Sequence, residues 1–247
     1  MGLSDANEIS LTVRGRALDG IILINDIRYS SFQSGVSMPH ARIAHLLVPG
    51  INRVKVQTTT QSDASGGMLD VRVHRGEDEL AQRIWNSAPE DPVPPAEFEL
   101  EFSQDTEAPT WMWVDSMVVS PPYPDQPGML SLVRAVHSAF VQRDIDALME
   151  LLAHKNRELA LAFTTDIDRA NRSQRAFFGD LFANEPWNVE ALDTDNMPYF
   201  SQGNGRLIEP TSPDGEPVIR VTFGEDRLNY SLRLMYIYSN GKWLISR

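Results

Sequence analysis

Ser120-Pro121-Pro122-Tyr123-Pro124-Asp125-Gln126-Pro127-Gly128 is the stretch on which the reading of this chain turns. Each proline fixes its own φ and pushes the residue before it toward extended backbone, so this run is neither a helix interior nor a central strand. On its N-terminal side, short alternating runs separated by turn residues read as strands. From Met129 onward the pattern becomes helical and returns to strands only near the end. The stretch therefore predicts an all-β unit over 1–120, a proline-rich linker over 121–128 and an α+β unit over 129–247.

A chain of 247 residues accommodates two units of ordinary size, and 42% hydrophobic with 23% charged residues is a globular composition. No apolar run approaches the roughly 20 residues that span a bilayer, so a membrane is not an expected partner. Met1–Glu8 has neither the basic start nor the apolar core of a secretory signal, and it lacks the hydroxyl residue of a myristoylation site. The absence of cysteine excludes disulfides, thiolate metal sites and a cysteine nucleophile, and it fits a cytoplasmic address. The net charge of −12 is uneven: residues 1–120 carry 9 basic and 17 acidic side chains, against 13 and 17 in 121–247. Such a field repels phosphate backbones, so nucleic acid is not an expected partner, whereas a basic protein is compatible with it.

In the first unit Ile9, Leu11 and Val13 alternate with Ser10, Thr12 and Arg14, the period of a half-buried strand. Gly20–Asp26 predicts a strand buried on both faces and closed by a turn pair. Ala41–Val48 and Val54–Val56 flank Pro49-Gly50-Ile51-Asn52, which predicts a tight hairpin on a type II turn, because Gly takes the positive φ there. Thr58–Gly67 reads as a loop and Met68–His74 as another strand. Pro89, Pro92, Pro94 and Pro95 mark an extended crossing.

Leu46-Leu47-Val48-Pro49-Gly50-Ile51-Asn52-Arg53-Val54-Lys55-Val56 resembles a turn that recurs near the middle of galactose-binding-like modules. The order of the pieces around it resembles jelly-roll or immunoglobulin-like β-sandwich modules. This resemblance implies a binding or partner module rather than a catalyst, and no residue carries sugar recognition over.

Glu97, Glu99 and Glu101 alternate with Phe98, Leu100 and Phe102, placing three carboxylates on one face of a strand, and Asp105 and Glu107 prolong the acidic run. These five acidic residues are the candidate surface for a basic partner. A solvated face that discourages edge pairing is the alternative. Trp111 and Trp113 share a face of what reads as the closing strand of the unit, either as core or as a platform on which a sugar stacks.

In the second unit Leu130, Val133, Val136, His137, Phe140 and Val141 mark one helical face. Asp144 is placed to cap a second helix through Leu152, with His154 at its negative end. Helices over Arg157–Phe163 and from Ser173 to Phe182 follow. Strands are expected at Trp187–Leu192, at Val218–Phe223 and over one long stretch, Leu228–Ser239, which Asn240-Gly241 returns as Lys242–Ser246. Helices followed by an antiparallel sheet make an α+β layout.

Ala135–Leu152, with Phe140, Asp144, Asp146, Ala147 and Leu148, looks like the first two helices of the nuclear transport factor two-like (SnoaL-like) cone. Leu234–Ile245 with Gly241-Lys242-Trp243 is similar to that family's last hairpin. The resemblance implies a curved sheet wrapped over helices and a pocket used for ligands, catalysis or, elsewhere on the surface, protein contact. Neither face of the long strand presents the carboxylate or His that family catalysis uses, so no catalytic residue is assigned. Tyr230, Tyr236 and Trp243 are the candidate pocket lining.

The five histidines show no His-x-x-x-His spacing, and neither a phosphate-binding Gly-rich loop nor a nucleophile elbow occurs, so no metal or cofactor is expected. The whole reads as a non-enzymatic cytoplasmic protein that docks a protein partner, in the general character of bacterial immunity proteins and secretion accessories. The alternative is a small-molecule-binding protein or SnoaL-like enzyme working in the cone.

Overall fold

The computed structural model describes residues 8–35, 37–59, 67–88, 94–104 and 110–247. The chain is mostly β, with helices followed by sheets toward its C-terminal end, and it divides into two compact units, Met1–Thr110 and Trp111–Arg247.

The first unit holds β1 (Ile9–Arg16), β2 (Gly20–Ile24), β3 (Ile27–Phe32), β4 (Ser37–Arg42), β5 (Gly50–Thr58), β6 (Met68–Arg75), β7 (Asp78–Asn86) and β8 (Glu97–Gln104). They form two antiparallel sheets, in the orders β4-β1-β6-β7 and β3-β2-β5-β8. Leu11, Val13, Val71 and Val73 in one sheet, and Ile22, Ile24, Val54, Val56 and Phe98 in the other, are buried. Ser10 and Thr12 are buried as well, so β1 is covered on both faces as far as Val13 and is not the half-buried strand expected. Phe32 lays its ring where side chains at Gly15 of β1 and Gly20 of β2 would be, since a Cβ at either would fall within 2.7 Å of it. Asn25 and Asp26 both take positive φ, giving the β2–β3 hairpin its turn. Ile21 and Leu23 remain only half-buried, so β2 is covered fully on one face and not, as expected, on both.

The Pro49-Gly50 corner departs further from expectation. Residues 44–46 form a single tight helical turn, and β5 pairs with β2 and β8, so no hairpin forms across the corner. Gly50 does take a φ of +87°. The corner is closed by a side chain instead. Asn52, fully buried, accepts from Val48 N–H (2.8 Å) and from Asn25 Nδ2 (2.8 Å), and it donates to the carbonyls of Val48 (2.8 Å) and Gly50 (3.1 Å). With its whole hydrogen-bonding capacity spent on backbone and a neighbouring amide, Asn52 of the resembling turn is structural.

The second unit contains α1 (Met112–Asp115), α2 (Gln126–Gln142), α3 (Ile145–Leu151), α4 (Ala153–Ala162) and α5 (Ile167–Phe182). Seven strands follow: β9 (Trp187–Val189), β10 (Tyr199–Gln202), β11 (Leu207–Pro210), β12 (Ile219–Phe223), β13 (Leu228–Leu232), β14 (Tyr236–Ser239) and β15 (Lys242–Ile245). They make two antiparallel sheets, in the orders β10-β11-β14-β15 and β13-β12-β9. Asp144 caps α3 by accepting from Ala147 N–H, as its position predicts.

The proline run lies inside this unit. Asp125 caps α2 by accepting from Gly128 N–H, and a Cβ at Gly128 would collide with that carboxylate at 2.1 Å. Trp243 Nε1 donates to the carbonyls of Pro124 (2.8 Å) and Asp125 (3.0 Å), pinning the run to the last hairpin.

Trp111–Val119 is likewise not the closing strand of the first unit. Its first half is α1, and Met117 and Val119 donate backbone N–H groups to Tyr238 and Gly205 of the second unit. Trp111 and Trp113 are each 4% exposed, so both rings are core and neither offers a face to a sugar.

The single strand expected over Leu228–Ser239 is two strands in two sheets. Between them Met235 N–H donates to Arg247 O (2.7 Å) and Met235 O accepts from Ser246 N–H (2.9 Å), while Arg233 turns to Glu209 at 2.9 Å. That break cancels the expected alternation. Leu234, Met235, Tyr236 and Ile237 are consecutive and all buried.

Candidate functional site

The core of the second unit is built on Phe140. Its ring meets Phe178 and Phe182 edge-on (centroids 6.0 and 5.6 Å) and stacks on Tyr230 (6.1 Å). Tyr236 is 1% exposed and packs in the same core, its hydroxyl pushed above the ordinary value by burial. Tyr230 is half-buried against that core, and burial raises its hydroxyl to about 12. The two tyrosines named as pocket lining are therefore packing residues.

Trp243, the third candidate, does reach an open concavity. A groove of about 720 Å³ runs between α2, α3, α4 and β15. Buried Ala139, Trp243 and Ile245 with half-buried Leu132, Ala135, Leu151 and Leu244 give it an apolar floor. Exposed Gln142, Glu150 and Arg157 with Ser138 and His154 supply polar groups of mixed sign at its margin. β15 is the outermost strand of its sheet, so one wall of the groove is a strand edge and the opposite wall is the helix α2.

Beside the groove lies a buried ionic cluster. Glu158 of α4 receives the Arg247 guanidinium, the Ser246 hydroxyl (3.3 Å) and the Met112 N–H (2.6 Å), and His154 Nε2 stands 3.6 Å from it. Glu158 and Arg247 are 7% and 6% exposed. Desolvation lowers the His154 pKa, opposed by Glu158. His154 thus lies past the end of α3, as expected, but it does so within the first turn of α4, where it faces Glu158. His137 places Nε2 2.8 Å from the Glu190 carbonyl, a hydrogen bond in which Nε2–H donates.

Lys155 is the cluster's unbalanced member. Burial, with Arg247 adding repulsion, lowers its ammonium pKa from 10.5 to about 8. Below pH 8 the amine is charged in both folded and unfolded chains and its desolvation is a full penalty. Between pH 8 and 10.5 the folded chain sheds the proton first, so stability rises with pH there. Lys155→Met is expected to stabilise the chain at pH 7 by about 2 kcal/mol, a gain that shrinks toward zero by pH 10.5 in urea titrations across that range.

The acidic strand carries its own counter-charges. In the β5–β8 register Lys55 faces Glu99 and Arg53 faces Glu101. Lys55 Nζ lies 3.3 Å from Glu99 and 3.9 Å from Glu97, Arg53 is 2.8 Å from Glu101, and Gln57 donates to Glu97 (3.2 Å). Glu97, Glu99 and Glu101 are thereby engaged within the sheet, while Asp105 and Glu107 lie outside the described residues.

The groove and its cluster were hidden from sequence reading by one boundary. Starting α4 at Arg157 instead of Ala153 separates His154 from Glu158, although their spacing of four places them on one helical face. Nothing local marks Arg247, which arrives from 89 residues away. Among the described residues no three His, Asp or Glu side chains gather closely enough to hold a metal ion, and no helix is long and apolar enough to cross a membrane. Comparison with protein-family models, curated proteins and solved structures returned no match.

Proposed function

We propose that this chain is a non-catalytic binding protein whose second unit docks an extended segment of a protein partner in the groove between α2 and β15. The observation that carries this reading is the pairing of an apolar floor with a strand edge. An added strand takes its main-chain hydrogen bonds from the edge and its side-chain selection from the floor. The packed interior around Phe140 supports the same reading, because the cone leaves its open concavity outside the aromatic core. The SnoaL-like cone for residues 129–247 and a β-sandwich for the first unit are part of this proposal. Helices followed by antiparallel sheets, and two four-stranded antiparallel sheets, support them.

A second reading draws on the groove's volume, which falls within the roughly 300–1,000 Å³ of small-molecule sites. Photo-crosslinking residues introduced at Ala135 and Leu244, on opposite walls, separate the two. Peptide docking predicts crosslinks from both positions to one segment of one protein, lost when Ala135→Trp fills the groove of a Leu244-labelled chain. A crosslinked species of small-molecule mass, or no A135W-sensitive adduct, overturns the peptide reading.

A further inference from the structure

The strand ends of the four sheets are treated unequally. Apart from β15, the edge assigned above to the partner segment, β3 carries Arg28, β4 carries Pro39, β7 carries Asp78, Glu79 and Arg83, and β8 carries three glutamates. These are the charges and prolines that keep a sheet edge from pairing with another chain. β9 and β10 lack them but run for only three and four residues. β13 is the longest edge with neither device: Leu228-Asn229-Tyr230-Ser231-Leu232.

The same strand is nearly symmetric about its centre. Laid antiparallel on a copy of itself about Tyr230, it sets Leu228 opposite Leu232 and Asn229 opposite Ser231, apolar on apolar and amide on hydroxyl. A two-fold interface needs this self-complementarity, in which residue i meets j and j meets i. The register with β12 supports the faces. Tyr230 lies opposite buried Val221 and Leu232 opposite buried Ile219, so Leu228, Tyr230 and Leu232 share the core side, while exposed Asn229 and Ser231 share the outer side. On the core side the apolar surface continues past the strand. Leu228 is 56% exposed, and Phe177 of α5, in ring contact with Tyr230 at 5.8 Å, is 48% exposed.

We infer that β13 is a self-association edge: a second copy of this chain adds its β13 antiparallel about Tyr230, extending the three-stranded sheet to six strands across a two-fold axis. The inference is independent of the groove, which lies on the other sheet of the unit.

Sedimentation velocity of the full chain over about 1–200 µM tests it, a range suited to so small an interface. The wild type is expected to rise from 27.7 kDa toward about twice that mass. N229K/S231K sets lysine against lysine at both outer pairs and is expected to stay at the monomer mass with an unchanged circular dichroism spectrum. N229K/S231E sets lysine against glutamate across the axis and is expected to restore association, less so as salt is raised. A wild type that stays monomeric, an N229K/S231K chain that associates like the wild type, or an N229K/S231E chain that stays monomeric overturns the inference.

Discussion

Glu158→Gln is expected to lower the unfolding free energy by about 3–5 kcal/mol, the cost of stranding a buried partner charge. The amide keeps the shape and still accepts from Met112 N–H, so the loss isolates the charge. Without the carboxylate, Arg247 is left at 6% exposure beside Lys155 and His154, with no other acidic side chain among the described residues paired to it. In urea titrations the midpoint should fall with the slope unchanged, because the surface exposed on unfolding is the same. The double variant E158Q/R247M should recover most of the loss, since removing both ions also removes the desolvation that their attraction offsets. A loss below about 1 kcal/mol for E158Q would show the pair to be solvated.

Phe140→Ala is expected to cost a similar amount, about 3–5 kcal/mol, through a different route. The side chain is fully buried among Phe178, Phe182 and Tyr230, and its backbone carbonyl accepts from Trp187 Nε1 at 3.2 Å. Truncation removes the apolar transfer energy and leaves a cavity lined by three rings that the rigid helices α2 and α5 cannot close. Urea unfolding followed by tryptophan fluorescence reads the loss, and binding of xenon or benzene by the variant but not the wild type reads the cavity. A near-neutral F140A would mean that the interior is already open, which would return Tyr230 and Tyr236 to the role of pocket lining.

Both changes act where the sequence was least readable, and the reason is the range of the contacts involved. Asp144 as a helix cap, Asn25-Asp26 and Asn240-Gly241 as hairpin turns, and the alternation in β5 and β8 are set by residues within a few positions of one another. Each is legible from a short window. The hairpin expected at Pro49-Gly50 failed because Asn52 satisfies the corner's backbone groups itself, which no periodicity reveals. The acidic stripe of β8 was read correctly as a strand face, but its counter-charges sit more than forty residues away on β5. Of the three aromatic residues named for a pocket, Trp243 alone reaches the groove. The alternation that grouped Tyr230 with Tyr236 ends where the chain leaves one sheet for another at Arg233–Met235.

The sequence by itself determined the order of strands, then helices, then strands, the Asp144 cap, the Asn25-Asp26 and Asn240-Gly241 turns and the buried faces of β5 and β8, because propensity and hydrophobic period are local properties. Tertiary structure alone decided that the proline run is folded into the second unit, that the long C-terminal strand is divided between two sheets, and that Glu158 of α4 and Arg247, just past β15, share a buried ion pair beside an open groove. Each of those outcomes depends on which distant polar group satisfies a buried one, and that pairing exists only once the chain has closed on itself.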